Sequence, residues 1–388
     1  MKSLDRTLAR SGTTIFEAMS ALAREHQAVN LGQGFPDDKG PLVLREAAAR
    51  YLVDGHNQYP PMMGLPALRQ AVAAHDRRWY GLELDWESEV LITSGATEAL
   101  LDAFLAIVEP GDEVIVLEPA YDTYAPVIRR LGATPRAVRL SPPDWALPRA
   151  ELAAAFSPLT KLLVLNSPMN PTGRVFAADE LAWLAEQLVA RDVYALCDEV
   201  YEHLTFGDAR HLPLMTMPGM RERTLRIGSA GKTFSMTGWK VGYVAGAAPL
   251  VRVAGKAHQL VTFTTPPNLQ HAVAQGLALD DAYFHGLGPA MAAGRDRLAR
   301  GLAELGLPTL RCDGTYFLVA DVAGWMRDGE DDIAFCHRLV REAGVVVIPM
   351  SAFYLHAPPR SLVRFCFCKA EATIDAALER LRAFVKRR

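Results

Sequence analysis

The sequence predicts an α/β fold: a mostly parallel central sheet flanked by helices, followed by a smaller α+β domain. Three observations lead there. Short, continuous Val/Ile/Leu runs alternate with longer segments whose apolar residues recur at helical spacing, the pattern of strands buried on both faces. The chain has 388 residues, 50% of them hydrophobic and 22% charged, which is enough for a large core and too apolar for disorder. After about residue 285 the regular alternation gives way to long helices with separated strands, as in an α+β lobe.

Taken in order, Glu89–Thr93 reads as a strand and Thr97–Val108 as a helix. Glu113–Leu117 is a second strand, followed by helical Tyr124–Leu131. Lys161–Leu165 is the third strand, Ala178–Arg191 a helix, and Val193–Cys197 the fourth strand. Leu225–Gly228 and Val241–Ala245 add two more. Beyond them come the helix Gly286–Leu305, strand Tyr316–Asp321, helix Ile333–Ala343, strands Val345–Ile348 and Leu362–Phe367, and a last helix, Ala370–Val385. Proline and glycine are spread rather than blocked, so neither a flexible linker nor a repeat is expected. Parallel sheets carry their sites at the carboxyl ends of the strands, and polar residues there are the functional candidates.

Composition excludes several classes. With 41 Lys+Arg against 44 Asp+Glu, a net charge of −3, and no basic tract, the chain offers no electrostatic footprint for nucleic acid. No stretch approaches the ~20 apolar residues of a membrane span. The first twenty residues carry Lys2, Asp5, Arg6, Arg10 and Glu17 without an apolar core, unlike a secretory signal, so a cytoplasmic location is expected. The five cysteines (Cys197, Cys312, Cys336, Cys366 and Cys368) lie in hydrophobic runs with no C-x-x-C and no zinc spacing. They read as buried structural thiols in a reducing compartment, and no metal site is expected. Cys366 and Cys368, two apart, would share a face of a strand.

Four strand ends carry polar groups. Thr93-Ser94-Gly95-Ala96-Thr97-Glu98 is a strand, a glycine turn and a helix start, either a phosphate seat or an ordinary N-cap by Ser94 or Thr97. Asn166-Ser167-Pro168-Met169-Asn170-Pro171-Thr172-Gly173 holds two X-Pro steps in a rigid turn that aims Asn170, or is simply a turn. Asp198-Glu199 ends the apolar run Val193–Cys197, where a carboxylate is costly unless paired or functional. Gly228-Ser229-Ala230-Gly231-Lys232-Thr233 places an ammonium among small residues. A phosphate-binding P-loop does not fit, because Arg226 stands where its first glycine belongs. Ser229-Ala230-Gly231-Lys232 matches S-x-x-K of penicillin-recognising enzymes, but their S-D-N and K-T-G elements are missing. A lysine desolvated so that its amine is neutral and nucleophilic remains, beside a solvated surface lysine. Gly32-Gln33-Gly34 is a weak G-x-G, with Asp37 where a third glycine would be, so a nicotinamide site does not follow.

One chemistry uses all four sites. Pyridoxal 5′-phosphate (PLP) needs an amine for its aldehyde, a carboxylate for its pyridine nitrogen, a phosphate seat and a donor to its ring hydroxyl. Lys232, Asp198, the 94–97 turn and Asn170 could supply these in turn. Arg364, in the apolar strand Leu362–Phe367, is the candidate for the substrate carboxylate, its bland alternative being an edge-strand arginine facing solvent.

On these residues the chain resembles the class I/II aminotransferases of PLP fold type I over nearly its whole length. The motifs are Gly32-Gln33-Gly34-Phe35-Pro36-Asp37, Asn57-Gln58-Tyr59, Ser94–Ala99, Asn170–Gly173, Asp198–Tyr201, Ser229–Thr233 and Gly238–Gly242. Gly12–Phe16, Leu22–His26 and Thr237–Lys240 are similar to bacterial methionine aminotransferases and to the kynurenine aminotransferase/cysteine-conjugate β-lyase branch. The resemblance implies that Lys232 condenses with the cofactor aldehyde and shuttles the proton. It implies that Asp198 pairs with the pyridinium, that Asn170 and Tyr201 donate to the ring oxygen, and that Tyr121 stacks on the ring. Ala96, Thr97, Ser229 and Lys240 would hold the phosphate, with Tyr59 entering from a second subunit of a homodimer. Arg364, Asn170 and the Gly34 backbone would bind the substrate carboxylate. The implied division is an N-terminal arm and part of the small domain over 1–45, a large PLP-binding domain over 46–285 and a small domain over 286–388.

Three positions depart from the family. Lys240 stands where many relatives have arginine, so the phosphate contact would be a point charge rather than a fork. Phe16 stands where the kynurenine branch tends to have tryptophan, and Thr264 where it tends to have histidine, which weighs against kynurenine specificity. No second arginine motif is present for a dicarboxylate side chain. Phe16, Tyr59, Tyr121, Phe263 and Phe353 are apolar candidates for the side-chain pocket. The expected function is ping-pong transfer of an amino group from methionine, phenylalanine or tyrosine, with leucine, kynurenine or glutamine as further candidates, to a 2-oxo acid. The alternatives are β-elimination from cysteine S-conjugates on the same scaffold, a serine acyl-transferase using Ser229 and Lys232, and a non-catalytic regulatory module.

Overall fold

A computed structural model describes residues 12–387. The charged N-terminal stretch Met1–Ser11 therefore lies outside the described residues, including the part of the signal-sequence reading that rests on it. Twelve strands follow in chain order. They are β1 (Val29–Asn30), β2 (Val90–Thr93), β3 (Glu113–Glu118), β4 (Thr134–Arg139), β5 (Thr160–Asn166) and β6 (Tyr194–Asp198). Then come β7 (Thr224–Ser229), β8 (Gly242–Gly246), β9 (Phe317–Asp321), β10 (Val345–Val346), β11 (Ile348–Pro349) and β12 (Leu362–Cys366).

Seven of these strands form the main sheet, in the order β2-β8-β7-β6-β5-β3-β4. Only β8 runs antiparallel to its neighbours, so the expectation of a mostly parallel sheet holds. β2, β3, β7 and β8 are buried along their whole length, as continuous apolar strands under helices on both faces must be. β9, β11 and β12 form a separate antiparallel sheet in the order β11-β12-β9. β1 pairs in parallel with β10, which ties the segment after the helix Ile15–Glu25 to the C-terminal part of the chain. One apolar cluster runs from Leu91 and Val116 in the main sheet through Tyr316 and Val346 to Phe384 in the last helix, Glu371–Lys386. Among the described residues no helix is long and apolar enough to cross a membrane.

The structure differs from the sequence reading in several places. β4 was not expected: Thr-Pro-Arg-Ala-Val-Arg is mostly exposed and carries a proline, which an edge strand tolerates and a central one does not. The single strand expected over Val345–Ile348 is two short ones, β10 and β11, which pair with β1 and β12 in different sheets. The helices Ile15–Glu25, Leu42–Asp54, Pro66–Tyr80, Ala248–Val261 and Pro267–Leu277 were not assigned from the sequence. The long helix begins at Asp281 rather than Gly286 and carries Pro289 inside it.

Candidate active site

The carboxyl ends of β5, β6 and β7 and the start of the helix Gly95–Ile107 surround a cavity of about 340 Å³, closed on its other side by β12 and the segment after β1. Its lining includes Gly34, Ala96, Thr97, Tyr121, Asn170, Asp198, Tyr201, Lys232, Arg364 and Phe16. Residues as far apart in sequence as Phe16 and Arg364 meet here, because the parallel strands deliver their ends to one edge and β12 and the helix Ile15–Glu25 pack over that edge.

β6 carries Asp198 into the interior, where it is 5% exposed. One carboxylate oxygen accepts a 2.5 Å hydrogen bond from the Tyr124 hydroxyl. The other, Oδ1, is buried with no partner. Burial raises the pKa of this carboxyl, a shift that the Tyr124 hydrogen bond, the Val200 backbone amide and the Lys232 charge only partly offset. A half-satisfied buried carboxylate is costly unless something else completes it.

β7 ends at Ser229, and the short helical turn Ala230–Thr233 follows with Lys232. The Lys232 amine donates to the Tyr316 hydroxyl at 2.9 Å, and Tyr316 donates to the Gly34 carbonyl at 2.7 Å. Burial lowers the lysine pKa, favouring the neutral amine that attacks carbonyl carbon. A solvated surface lysine is thereby ruled out. The serine acyl-transferase arrangement has no support, since Lys232 is bonded to Tyr316 rather than to Ser229.

Arg364 lies on β12, the central strand of its sheet, and is 1% exposed, not an edge arginine in solvent. Its two Nη groups donate to Asn170 Oδ1 and to the Gly32 carbonyl, each at 2.8 Å, while Nε is buried without a partner. Both acceptors are neutral, and burial lowers its pKa to about 10. The guanidinium lies 3.8 Å from the Phe317 ring centre and 5.1 Å from those of Phe16 and Phe353. A cation desolvated this far, with no described carboxylate in ion-pair range, is set to take an anion from outside. Asn170 is held in turn, its amide nitrogen donating to Asn166 Oδ1 at 2.7 Å, while the Asn166 side chain donates to the Asp198 carbonyl at 2.8 Å.

The helix Gly95–Ile107 opens without a side-chain cap, so the simple N-cap reading of Ser94 or Thr97 does not hold. Instead the Glu98 carboxylate accepts from the Ser94 amide, and Gly95 sits at φ +75°, a conformation favouring glycine. A Cβ added at Gly95 would lie 3.4 Å from the Lys240 ammonium, so this cation borders the helix start. At Gly242 an added Cβ would lie 2.7 Å from the Ala96 nitrogen, which explains why β8 needs glycine there. Free amides, a helix dipole and a neighbouring ammonium make an anion seat. With the unpartnered Asp198 oxygen and the desolvated Lys232 amine, the residues present fit a phosphorylated pyridine aldehyde. Lys232, Asp198, Asn170, Tyr201, Tyr121, Ala96, Thr97 and Lys240 are the residues that could hold it.

Not every candidate lines the cavity. Ser229 is buried at the end of β7, and Phe353 reaches the site only through Arg364 and Phe16. Tyr59 is 81% exposed and stands edge-on to the exposed Phe263, at 5.5 Å between ring centres, outside the cavity of its own chain. Conversely, Gln33, Phe35, Leu100, Asn166, Val200 and Phe317 line the cavity and were not picked as candidates. Asn166 ends β5 as Asp198 ends β6, so the strand-end rule could have found it. Tyr124, Tyr316 and Phe317 carry no signal that separates them from core aromatics. Glu199 takes the salt-bridge reading, being bound to Arg226 at 2.5 Å and to His211 at 3.2 Å.

A family model for class I and II aminotransferases matches residues 26–381. The methionine aminotransferase of Escherichia coli is 42% identical over 375 residues, which covers 97% of each chain. Kynurenine–oxoglutarate transaminase 1 of Rattus norvegicus is 38% identical, covering 93% of each. The solved structure of N-succinyldiaminopimelate aminotransferase from Mycobacterium tuberculosis is 46% identical, with a TM-score of 0.95 over 98% of this chain and 100% of the other. Likeness to this last enzyme is one that the sequence motifs did not single out. The chain belongs to the class I and II aminotransferases, and is a PLP-dependent transaminase with the α/β architecture of fold type I.

Proposed function

We propose that this transaminase takes its amino group from an aromatic or thioether amino acid, such as methionine, phenylalanine or tyrosine, and passes it to a 2-oxo acid at the same site in two half-reactions. The observation that carries this reading is the cavity wall. One guanidinium, Arg364, is the only one lining it among the described residues, and Phe16, Phe35, Leu100, Tyr121 and Phe317 supply apolar surface. A single fork grips one carboxylate, and an apolar side chain gains by burial against the rest. A donor with a second, distal carboxylate would leave that charge unpaired.

Arg364 binds the α-carboxylate, exchanging two neutral acceptors for a charged one, with Asn170 and the Gly34 backbone beside it. Bound PLP supplies the aldehyde that carries the amino group and the electron-withdrawing ring that stabilises charge at the α-carbon. Lys232 would hold the cofactor, and its amine is placed to move the proton at the α-carbon. Tyr316 keeps that amine directed and anchors it to the Gly34 carbonyl. Asp198 holds the proton on the ring nitrogen, and Tyr124 orients its carboxylate. Tyr121 and Tyr201 line the same cavity, where Tyr121 would pack against the cofactor ring and Tyr201 would donate to its hydroxyl oxygen. Ala96, Thr97 and Lys240 would take the phosphate.

The exposed Tyr59–Phe263 pair supports a homodimer in which Tyr59 enters the site of a second copy. The separate sheets suit a division into an arm over 1–45, a PLP-binding domain over 46–285 and a small domain over 286–388. Five free, buried cysteines suit a reducing cytoplasm. The test is a donor panel against several 2-oxo acids, reading kcat/KM for methionine, phenylalanine, tyrosine, aspartate and N-succinyldiaminopimelate. Apolar donors are expected to lead the dicarboxylic ones by at least about tenfold, since a buried, unpaired charge costs more than 1.4 kcal/mol. A dicarboxylic donor in first place overturns the substrate assignment.

A further inference from the structure

Two thiols that the transamination chemistry does not use lie beside it. β12 ends at Cys366, and the chain then leaves the ladder, which lets Cys368 turn back toward Cys366. Their sulfurs are 3.2 Å apart, the one hydrogen-bonded thiol pair among the described residues. Cys197, Cys312 and Cys336 are buried elsewhere. Cys366 is fully buried, whereas Cys368, 5% exposed, lines a separate cavity of about 320 Å³, with Pro36, Asp37, Arg297 and Lys369 in its wall. A small oxidant can therefore reach the pair without crossing the substrate cavity.

The surroundings favour reaction at this pair. Burial pushes the Cys366 thiol up, but the hydrogen bond from Cys368 and the Lys369 and Arg364 cations more than reverse that, bringing it down to about 7. The pair is also mechanically tied to the site. Arg364 lies two residues before Cys366 on the same strand, and the amide of Phe367, between the two cysteines, donates to the Tyr316 carbonyl at 3.0 Å. Tyr316 is the residue that accepts from Lys232.

We propose that Cys366 and Cys368 form an oxidisable dithiol, converted by small hydroperoxides to an intramolecular disulfide that lowers transaminase activity by shifting Arg364 and Tyr316. The step balances with hydrogen peroxide alone. One thiolate attacks a peroxide oxygen, the O–O bond breaks, and water and a sulfenic acid result. The neighbouring thiol displaces the sulfenic oxygen as a second water. Two S–H bonds and one O–O bond are lost, one S–S and two O–H bonds form, and the sulfurs give up the two electrons that reduce the peroxide. Dithiothreitol reverses it by thiol–disulfide exchange.

The test treats PLP-loaded enzyme with stoichiometric hydrogen peroxide, alkylates the remaining thiols under denaturing conditions and maps peptides by mass. The peptide holding both cysteines is expected to lose two hydrogens and escape alkylation, while kcat/KM falls at least tenfold and returns with dithiothreitol. Cys368→Ser, and separately Cys366→Ser, should keep basal activity and lose the reversible inhibition. Because Cys368 is the more accessible, its variant alone decides the matter if Cys366→Ser does not fold. The proposal is overturned by an unbridged pair, by a bridge without loss of activity, or by equal reversible inhibition in Cys368→Ser. The mass readout does not depend on which amino acid is the donor.

Discussion

Asp198 and Glu199 are neighbours, buried to nearly the same degree, yet they face different surroundings. Glu199 turns toward Arg226, which is 0% exposed and also holds Glu202 at 2.6 Å and Asp76. Tyr80 and Tyr243 donate to the same Glu202 carboxylate at 2.6 and 2.9 Å. Burial pushes these carboxyls up, but the Arg226 charge together with neighbouring histidines and hydrogen bonds holds Glu199 and Glu202 below the ordinary carboxylate range, while Asp76 stays raised, at about 6. Asp198, on the opposite side, has a tyrosine, an orphaned oxygen and a raised pKa. The difference teaches how to tell a structural ion cluster from a binding site when both are buried. Each carboxylate of the structural cluster has the Arg226 guanidinium as its partner, even where, as at Asp76, one oxygen stays unbonded, whereas Asp198 has no ion-pair partner among the described residues.

The comparison is sharpest at the two carboxylates themselves. Asp198→Ala is expected to lower kcat by about a thousandfold or more, in the range for losing a catalytic proton-holding group, while urea unfolding of the cofactor-free protein stays unchanged or improves. Arg226→Met should do the opposite. It leaves three buried carboxylates uncompensated, and unfolding free energy should fall by about 3–5 kcal/mol, with kcat/KM of the folded fraction within a few-fold of wild type. If Asp198→Ala unfolds and Arg226→Met loses only turnover, the two roles have been exchanged. Within the open side, Arg364→Lys replaces a fork by a point charge, so KM for the donor should rise about 10–100-fold with little change in stability.

Behind the Arg226 cluster, His75 is held neutral, burial taking its pKa from 6.5 to about 4. An unfolded chain then binds that proton before the folded one does. The His75 contribution is complete above about pH 6.5 and is lost as pH falls toward 4. Asp102, raised to about 8 by burial, acts in the opposite sense, so the effect is read as a difference between proteins. Relative to wild type, His75→Phe should gain stability steadily between pH 6.5 and pH 4 in urea titrations. A constant difference across that range contradicts the assignment.

Much of this architecture was legible because buried parallel strands are short apolar runs with polar residues just past their ends. Asp198, Asn170 and the Lys232 turn all stand at such ends, and Arg364 is conspicuous as a lone charge in an apolar strand. The rest was not legible for physical reasons. Tyr124, Tyr316 and Phe317 act through position, and in sequence they match any packed aromatic. The Arg226 cluster draws on residues 76, 199, 202 and 226, so its neutralisation exists only after folding. β4 is a mostly exposed edge with Pro135, Arg136 and Arg139, and it has none of the apolar continuity that marks the central strands. The two-residue spacing places Cys366 and Cys368 on one face, but their 3.2 Å contact follows from the strand ending at Cys366, which the sequence does not mark.

The central claim is that Lys232 is the amine that carries the cofactor, in a cavity that the cofactor completes. Borohydride reduction of the PLP-loaded enzyme, followed by digestion and peptide mass mapping, tests it most directly. The account predicts one pyridoxyl-phosphate group per chain, fixed to Lys232. Label on a different lysine, or none after incubation with excess PLP, contradicts it.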